Sequence, residues 1–419
     1  MNGNDTKSYE IPTQSLPGLD ISVHINDLKE IIAFLNERGV STNNTRYFMY
    51  LEYLLEKSNS GSVNESKIFK NSTDGPFESS IDWHLYTLRE IHELMWILKG
   101  LKKHIPKGLD EKLKLIVSGR DFASLDSNSI SRDTQFELRI ASYFCQSGYI
   151  VDLSTTTDII AINKKYAFYT ECKRIGSPKQ LEGRLSSACK QLNQKMRRRV
   201  FGKIVIGSIA ADVTKVAFAH NGLTLGMTNK HSRDVIQEKL FRIANSTKDY
   251  DLFGRSNRLN QLWFQIHIPS IIVYPPTPTT RFSSYIIFRD NIDRNGMKEV
   301  QAFQKMFESC SKDDERCFPS KKLKRKKTIT IPKGSTFSID EDLINHYLST
   351  GHLPDKNPND VIADLEINGK SEEFTFMEFQ MLAASINEQE RNSMAKDINN
   401  SRFYLTSKMY LQRYPCEDV

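Results

Sequence analysis

A chain of 419 residues is longer than one compact core usually organises, so two or three domains are expected. With 39% hydrophobic and 26% charged residues the composition excludes a disordered chain, and no apolar run approaches the length that spans a bilayer. The net charge of +7 suits a polyanionic partner such as nucleic acid, and six cysteines without any CxxC pair exclude a zinc knuckle and suit reduced thiols in a cytosol.

The amino terminus, MNGNDTKSYE, lacks the apolar core of a signal peptide, so a soluble, cytoplasmic protein is expected. Asn26 or Asp27 is placed to cap a helix with Leu28, Ile31, Ile32 and Leu35 on one face and Gly39 past its end. A second helix spans Thr45 to Lys57. From Ser58 to Ser80 the sequence turns to Ser, Asn and Gly and reads as an exposed loop. A long helix from Asp82 to His104 stops before Pro106, and its His84 and His92 are given no chemistry. A shorter helix, Leu109 to Val117, ends a helical domain expected over residues 1–120.

The central domain, expected over 121–310, opens with a helix near Thr134 carrying Phe136, Ile140, Tyr143 and Phe144. Glu137 shares a face with Ile140 and Phe144. Either it is half of a Thr134-x-x-Glu137 capping box, or it is a carboxylate in apolar surroundings that needs a metal or a lysine as partner. Three β-rich runs follow: Tyr149 to Leu153, Asp158 to Ile162 and Tyr166 to Lys173. A link at Asn163-Lys164-Lys165 makes the last two an antiparallel hairpin with Asp158 opposite Thr170, next to Glu171. Glu171 and Lys173 leave one face of their strand, and Cys172 leaves the other. Two carboxylates can hold a divalent ion that lowers the pKa of a bound water, and a lysine beside them can orient that water or stabilise the charge of the transition state.

Ser177 and Pro178 start the next helix, which carries Leu181, Leu185, Ala188, Leu192 and Met196 as an apolar stripe. Gln191 lies beside that stripe. Lys190, Lys195, Arg197, Arg198 and Arg199 make a basic helix end suited to a phosphate backbone, or simply a solvated face. Phe201 to Ile209 is then a buried strand, parallel to its predecessor because a helix crosses between them.

Taken together, Glu137 on a first helix, Asp158 opening the second strand, Glu171-Cys172-Lys173 closing the third and Gln191 on the next helix resemble the PD-(D/E)xK nuclease superfamily, although Thr157 stands where the motif has proline. The resemblance implies an α/β fold with a restriction-endonuclease-like αβββαβ core and Mg²⁺- or Mn²⁺-dependent hydrolysis of phosphodiesters. It makes Asp158 and Glu171 the metal ligands, with Glu137 as an accessory carboxylate on the metal. Lys173 becomes the catalytic lysine and Gln191 a support for substrate or site. DNA is the expected substrate, and fold-level analogy points to restriction or anti-phage defence. The alternative is a nucleic-acid-binding or protein-interaction module that keeps the fold without catalysis.

Beyond this stretch, a helix Asp234 to Ala244, strands Leu262 to Tyr274 and Ser284 to Arg289 with a Pro275 to Pro278 turn between them, and a helix Met297 to Glu308 extend the domain. Lys321 to Lys327 reads as a solvated basic linker within 311–330. Residues 331–419 form a small α/β unit in which Ser338 caps a helix through Leu348. Val361 to Ile367 pairs there with Phe374 to Phe379 across Asn368-Gly369. This unit, like the helical one, is a candidate for partner binding or homo-oligomerisation. No GxxxxGK[ST] loop is present, which argues against an ATP motor.

Overall fold

The computed structural model describes residues 7–11, 17–19, 21–60, 63–69, 80–123, 126, 128–196, 199–200, 202–218, 222–226, 229–248, 250, 252–253, 258–272, 277–289, 292–311, 315–317, 320–322, 327–331, 336–367 and 370–413. The amino-terminal helices are α1 (Ile21–Glu37), α2 (Arg46–Ser60), α3 (Ser80–Lys103) and α4 (Leu109–Ile116). Helix α1 begins before the expected Asn26 or Asp27 cap, because Ile25 continues the buried stripe of Leu28, Ile31 and Leu35 by a further turn. Of the stretch expected as an exposed loop, Ser58 to Ser60 prolong α2, Glu65–Ile68 is a short helix, and Phe69 is fully buried and stacks on Trp83 at 4.8 Å; residues 61–62 and 70–79 lie outside the described residues.

A mixed sheet organises the centre. Its elements run α5 (Ile130–Gln146), β1 (Ile150–Asp152), β2 (Ile159–Ile162), β3 (Tyr166–Arg174), α6 (Leu181–Lys195), β4 (Lys203–Asp212), α7 (Asn229–Ser246), β5 (Leu259–Ile272), β6 (Thr277–Phe288) and α8 (Arg294–Ser311). In space these six strands lie β6-β5-β4-β3-β2-β1 within a nine-stranded sheet, which Glu315–Cys317 continues beyond β6 and to which Arg199–Val200 and Thr224–Gly226 add at β4 and β5. The neighbours β3, β4 and β5 are parallel, whereas β1 with β2, β2 with β3, and β5 with β6 are antiparallel. The expected parallel pairing of β3 with β4 is therefore present, with α6 as the crossover. Pro278 belongs to β6, opposite Ile271, and not to a turn; Pro275 and Pro276 lie outside the described residues.

Both faces of the sheet are covered, so its strands alternate between two apolar cores. Phe168, Cys172, Ile206, Ala210 and Trp263 face α5, α3 and α8, and this core runs from Ile25 to Cys310, taking in residues on both sides of position 120. Ala167, Tyr169, Val205, Ile209 and Phe264 face α6 and α7. Helices α3 and α5 approach closely at Gly100, where an added Cβ would stand 2.7 Å from Ser142 Cα; only glycine admits that contact. His84 and His92 are both buried, and His92 Nδ1 lies 3.1 Å from His267 Nε2.

The carboxy-terminal unit has its own core. Strands β7 (Thr336–Ile339), β8 (Val361–Ile367) and β9 (Lys370–Thr375) form an antiparallel sheet covered by α9 (Glu341–Thr350), α10 (Phe376–Ala383), α11 (Glu388–Met394) and α12 (Ile398–Arg413). Asp340, not Ser338, caps α9, accepting from Leu343 N at 3.0 Å, because Ser338 is spent in β7. Residues Phe376 to Phe379, expected as strand, open α10 instead, since Thr375 and Glu378 make a reciprocal capping box. The Asn368-Gly369 turn and the centre of the basic run, 323–326, lie outside the described residues.

Candidate metal and nucleic-acid site

The end of β3 collects charged groups from four elements. The β2–β3 register pairs Ile159 with Thr170, so Asp158, just before β2, falls beside Glu171 and not opposite Thr170 as expected. Its Oδ2 accepts a hydrogen bond from the backbone N–H of Cys172 at 2.8 Å, which fixes the carboxylate against the edge of β3. Glu171 and Lys173 share the face of Tyr169, toward α6, and Lys173 Nζ lies 3.3 Å from Glu171 Oε2. From α6, Lys195 Nζ reaches Glu171 Oε1 at 2.7 Å and also donates to the carbonyl of Thr156.

Glu137 arrives from the opposite side. Helix α5 starts at Ile130, so Thr134 lies inside the helix and the expected capping box does not form. Glu137 meets Lys112 of α4, whose Nζ is 2.5 Å from Oε2. The buried carboxylate thus has the lysine partner that its apolar setting demands.

Asp158 acts electrostatically on both glutamates. Burial, followed by the charge of Asp158, raises the pKa of Glu137, with Lys112 opposing. The same two causes raise Glu171, opposed by Lys195 and Lys173. The thiol of Cys172 is held well above its ordinary range, first by burial and then by Asp158, Glu137 and Glu171. Carboxylates that repel one another in a half-dry site gain from any cation placed among them. Lys112, Lys173 and Lys195 supply that charge here. Oxygen-only donors of this kind fit Mg²⁺ or Mn²⁺ by chemistry, although among the described residues no three His, Cys, Asp or Glu side chains form a finished metal-ligand set.

The remaining expected residues divide. Gln191 lies one turn before Lys195 on α6, half-buried, and its Oε1 is buried without a hydrogen-bond partner. Lys190 and Arg199 are exposed, as a phosphate-tracking surface requires; Arg197 and Arg198 lie outside the described residues. Lys195 does not join that surface, because its ammonium is committed to Glu171. Lys112 escapes sequence reading altogether: it sits in an ordinary charged helix, DEKLKL, and only the packing of α4 on α5 turns it toward Glu137.

A second charged cluster lies on the other side of β3. Arg139 of α5 is fully buried between Glu93 of α3 at 3.0 Å and Asp212 at the end of β4 at 2.9 Å. Arg132, also buried, pairs with Glu90 and with Asp126. These pairs tie α3 and α5 to the sheet end that carries Glu171. Cys145, Cys172, Cys189 and Cys310 are buried and lie in no disulfide among the described residues.

No protein-family model matches this sequence, and no curated protein is significantly similar to it. The structure belongs to the mixed α/β class. Among the described residues no helix is long and apolar enough to cross a membrane.

Proposed function

We propose that the protein is a metal-dependent nuclease of the PD-(D/E)xK kind, acting on DNA. The observation that carries this reading is the convergence of Asp158, Glu171 and Glu137 with Lys173 at one end of a sheet whose elements run α5-β1-β2-β3-α6-β4. Asp158 and Glu171 would hold Mg²⁺ or Mn²⁺, with Glu137 accessory to them. The ion, when bound, supplies charge neutralisation at a phosphate and an acidified water.

The chain's own residues supply the rest. Asp158 is oriented by the Cys172 N–H, so its carboxylate has little freedom to lose. Lys173, part-exposed and on the face of Glu171, is placed to hold an anionic phosphate oxygen. Gln191 offers a buried acceptor beside the same strand end.

A second reading is favoured by the lysines. Both oxygens of Glu171 are engaged by Lys173 and Lys195, and Glu137 by Lys112, which is how a non-catalytic nucleic-acid-binding relative would neutralise its carboxylates. Cleavage of plasmid and single-stranded DNA with Mg²⁺ or Mn²⁺, beside Asp158→Ala and Lys173→Ala, decides between them. Cutting by the wild type that both variants lose supports the nuclease. Binding of DNA without cutting, with no Mn²⁺-induced change in melting temperature, supports the second reading.

A further inference from the structure

Arg174 and Lys215 stand where β3 and β4 end, and the carboxylates nearest Arg174 are at 3.8 and 3.9 Å, beyond hydrogen-bond distance. Arg174 is the last residue of β3, and its register partner on β4 is Asp212. That carboxylate is already spent on Arg139 Nη2 at 2.9 Å and on the N–H of Thr214 at 2.9 Å, leaving Arg174 Nε 3.9 Å away. The other acid near Arg174, Asp133, stands off at 3.8 Å.

Arg89 of α3 is better compensated: it lies over the Tyr86 ring at 4.7 Å, and Tyr86, Glu90 and Glu93 raise its pKa against the effect of burial. Glu90 holds Arg132, and its second oxygen lies 3.5 Å from Arg89 Nη2. Lys215 follows Thr214 in the short helix Thr214–Ala217 after β4, is exposed, and makes no ion pair among the described residues. Partial burial, and after it the nearness of Arg174 and Arg89, hold its pKa below the ordinary lysine range. Asp212 is thus largely engaged by the buried Arg139, and Arg174 and Arg89 repel the ammonium of Lys215. A multi-oxygen anion would relieve that repulsion.

The location selects the anion. Arg174 directly follows Lys173 in β3 and leaves the opposite face of the strand, so one extended polyanion lying over the sheet end would meet Lys173 on one side and Arg174 with Lys215 on the other. We propose that Arg89, Arg174 and Lys215 form a phosphate-binding site that holds the nucleic-acid backbone beside the carboxylate cluster; this rests on the nuclease reading above. Arg89 comes from the amino-terminal helices, so the site also gives that region a part in substrate binding.

The test is fluorescence anisotropy of a labelled short DNA duplex, without divalent metal, between about 50 and 200 mM salt. The wild type is compared with Lys215→Met, which touches no buried pair, and with Arg174→Gln. Each variant is expected to weaken binding and to reduce the slope of log affinity against log salt by about 1. Terbium luminescence at the carboxylate cluster should be unchanged in Lys215→Met. Wild-type binding with an unaltered slope in Lys215→Met, its melting temperature intact, overturns this site and leaves the nuclease reading standing. A wild type that binds neither duplex nor single-stranded DNA overturns both. If inorganic phosphate, at matched ionic strength, raises the wild-type melting temperature through Lys215 while DNA binding ignores the substitution, the site serves free phosphate and the backbone assignment falls.

Discussion

Lys195 Nζ lies 2.7 Å from Glu171 Oε1, joining the last turn of a crossover helix to the end of the strand it follows. This pair occupies the carboxylate that the nuclease reading gives to a metal, so ammonium and divalent cation compete for the same oxygens. Removing the lysine leaves Glu171, with a side chain 2% exposed, Lys173 as its one charged partner among the described residues.

Lys195→Met is therefore expected to lower stability without metal by about 1–3 kcal/mol, the cost of uncovering one side of a buried charged acceptor. Mn²⁺ should then raise the melting temperature of the variant more than that of the wild type, because one competitor is gone. Differential scanning fluorimetry over a Mn²⁺ series reads both effects. An equal or smaller metal-induced rise in the variant would remove Lys195 as a competitor and weaken the case for a metal on Glu171.

Asp158 raises the pKa of both Glu137 and Glu171, which marks it as a source of repulsion in the folded state. Asp158→Asn keeps an oxygen for the Cys172 N–H and deletes the charge. It should leave stability unchanged or raise it by up to about 1 kcal/mol, as functional residues often do when neutralised. Urea unfolding measures this. A loss larger than about 1 kcal/mol would mean that Asp158 serves the fold and not a site.

Local signals in the sequence carried much of this arrangement. The short link at Asn163-Lys164-Lys165 forces a hairpin, the Leu181-Leu185-Ala188-Leu192 stripe forces a helix on one face, and a helix between strands forces parallel pairing; these place Glu171, Lys173 and Asp158 together. What escaped was set by tertiary contacts. Helix α5 runs a turn earlier than its Thr134 signal because Ser131 and Arg132 find buried partners in Ile116 and Glu90. The one-residue register difference in the hairpin is not marked by alternation, because β3 is buried on both faces, yet it moves Asp158 opposite Glu171. Lys112 and the Arg139 pairs depend on helices distant in sequence, and neither spacing nor composition encodes them.

Arg139 illustrates the energetic weight of such contacts. Its guanidinium is almost wholly buried, bridges Glu93 and Asp212, and lies over Phe136 at 4.6 Å and Phe282 at 5.0 Å. Arg139→Ala leaves two buried carboxylates without their principal cation and should cost about 3–5 kcal/mol. The urea midpoint is expected to fall with an unchanged slope, since the surface exposed on unfolding stays the same. A shift of under about 1 kcal/mol would show that Arg174 takes over Asp212 and that the bridge is redundant.

Glu299 on α8 gives a pH-dependent case with the opposite sign from an ordinary ion pair. Burial, and then Asp293, raise its carboxyl from 4.5 to about 7, while the side-chain amide of Asn260 donates to it at 2.6 Å. Between those two values the folded form keeps a proton that the unfolded chain has released. Stability from this group is therefore present below pH 4.5, falls as pH rises through the window, and is fully lost above about 7. Glu299→Gln removes the charge and keeps an oxygen for Asn260. Its melting temperature should match the wild type where both are neutral, at the acid end of the window, and exceed it increasingly toward pH 8. The group is part-exposed, so solvent screening keeps the gain modest. Melting curves of both proteins from pH 4.5 to 8 test the sign directly: a variant advantage that shrinks as pH rises would mean that Glu299 is held by a cation in the folded protein and not destabilised by burial and Asp293.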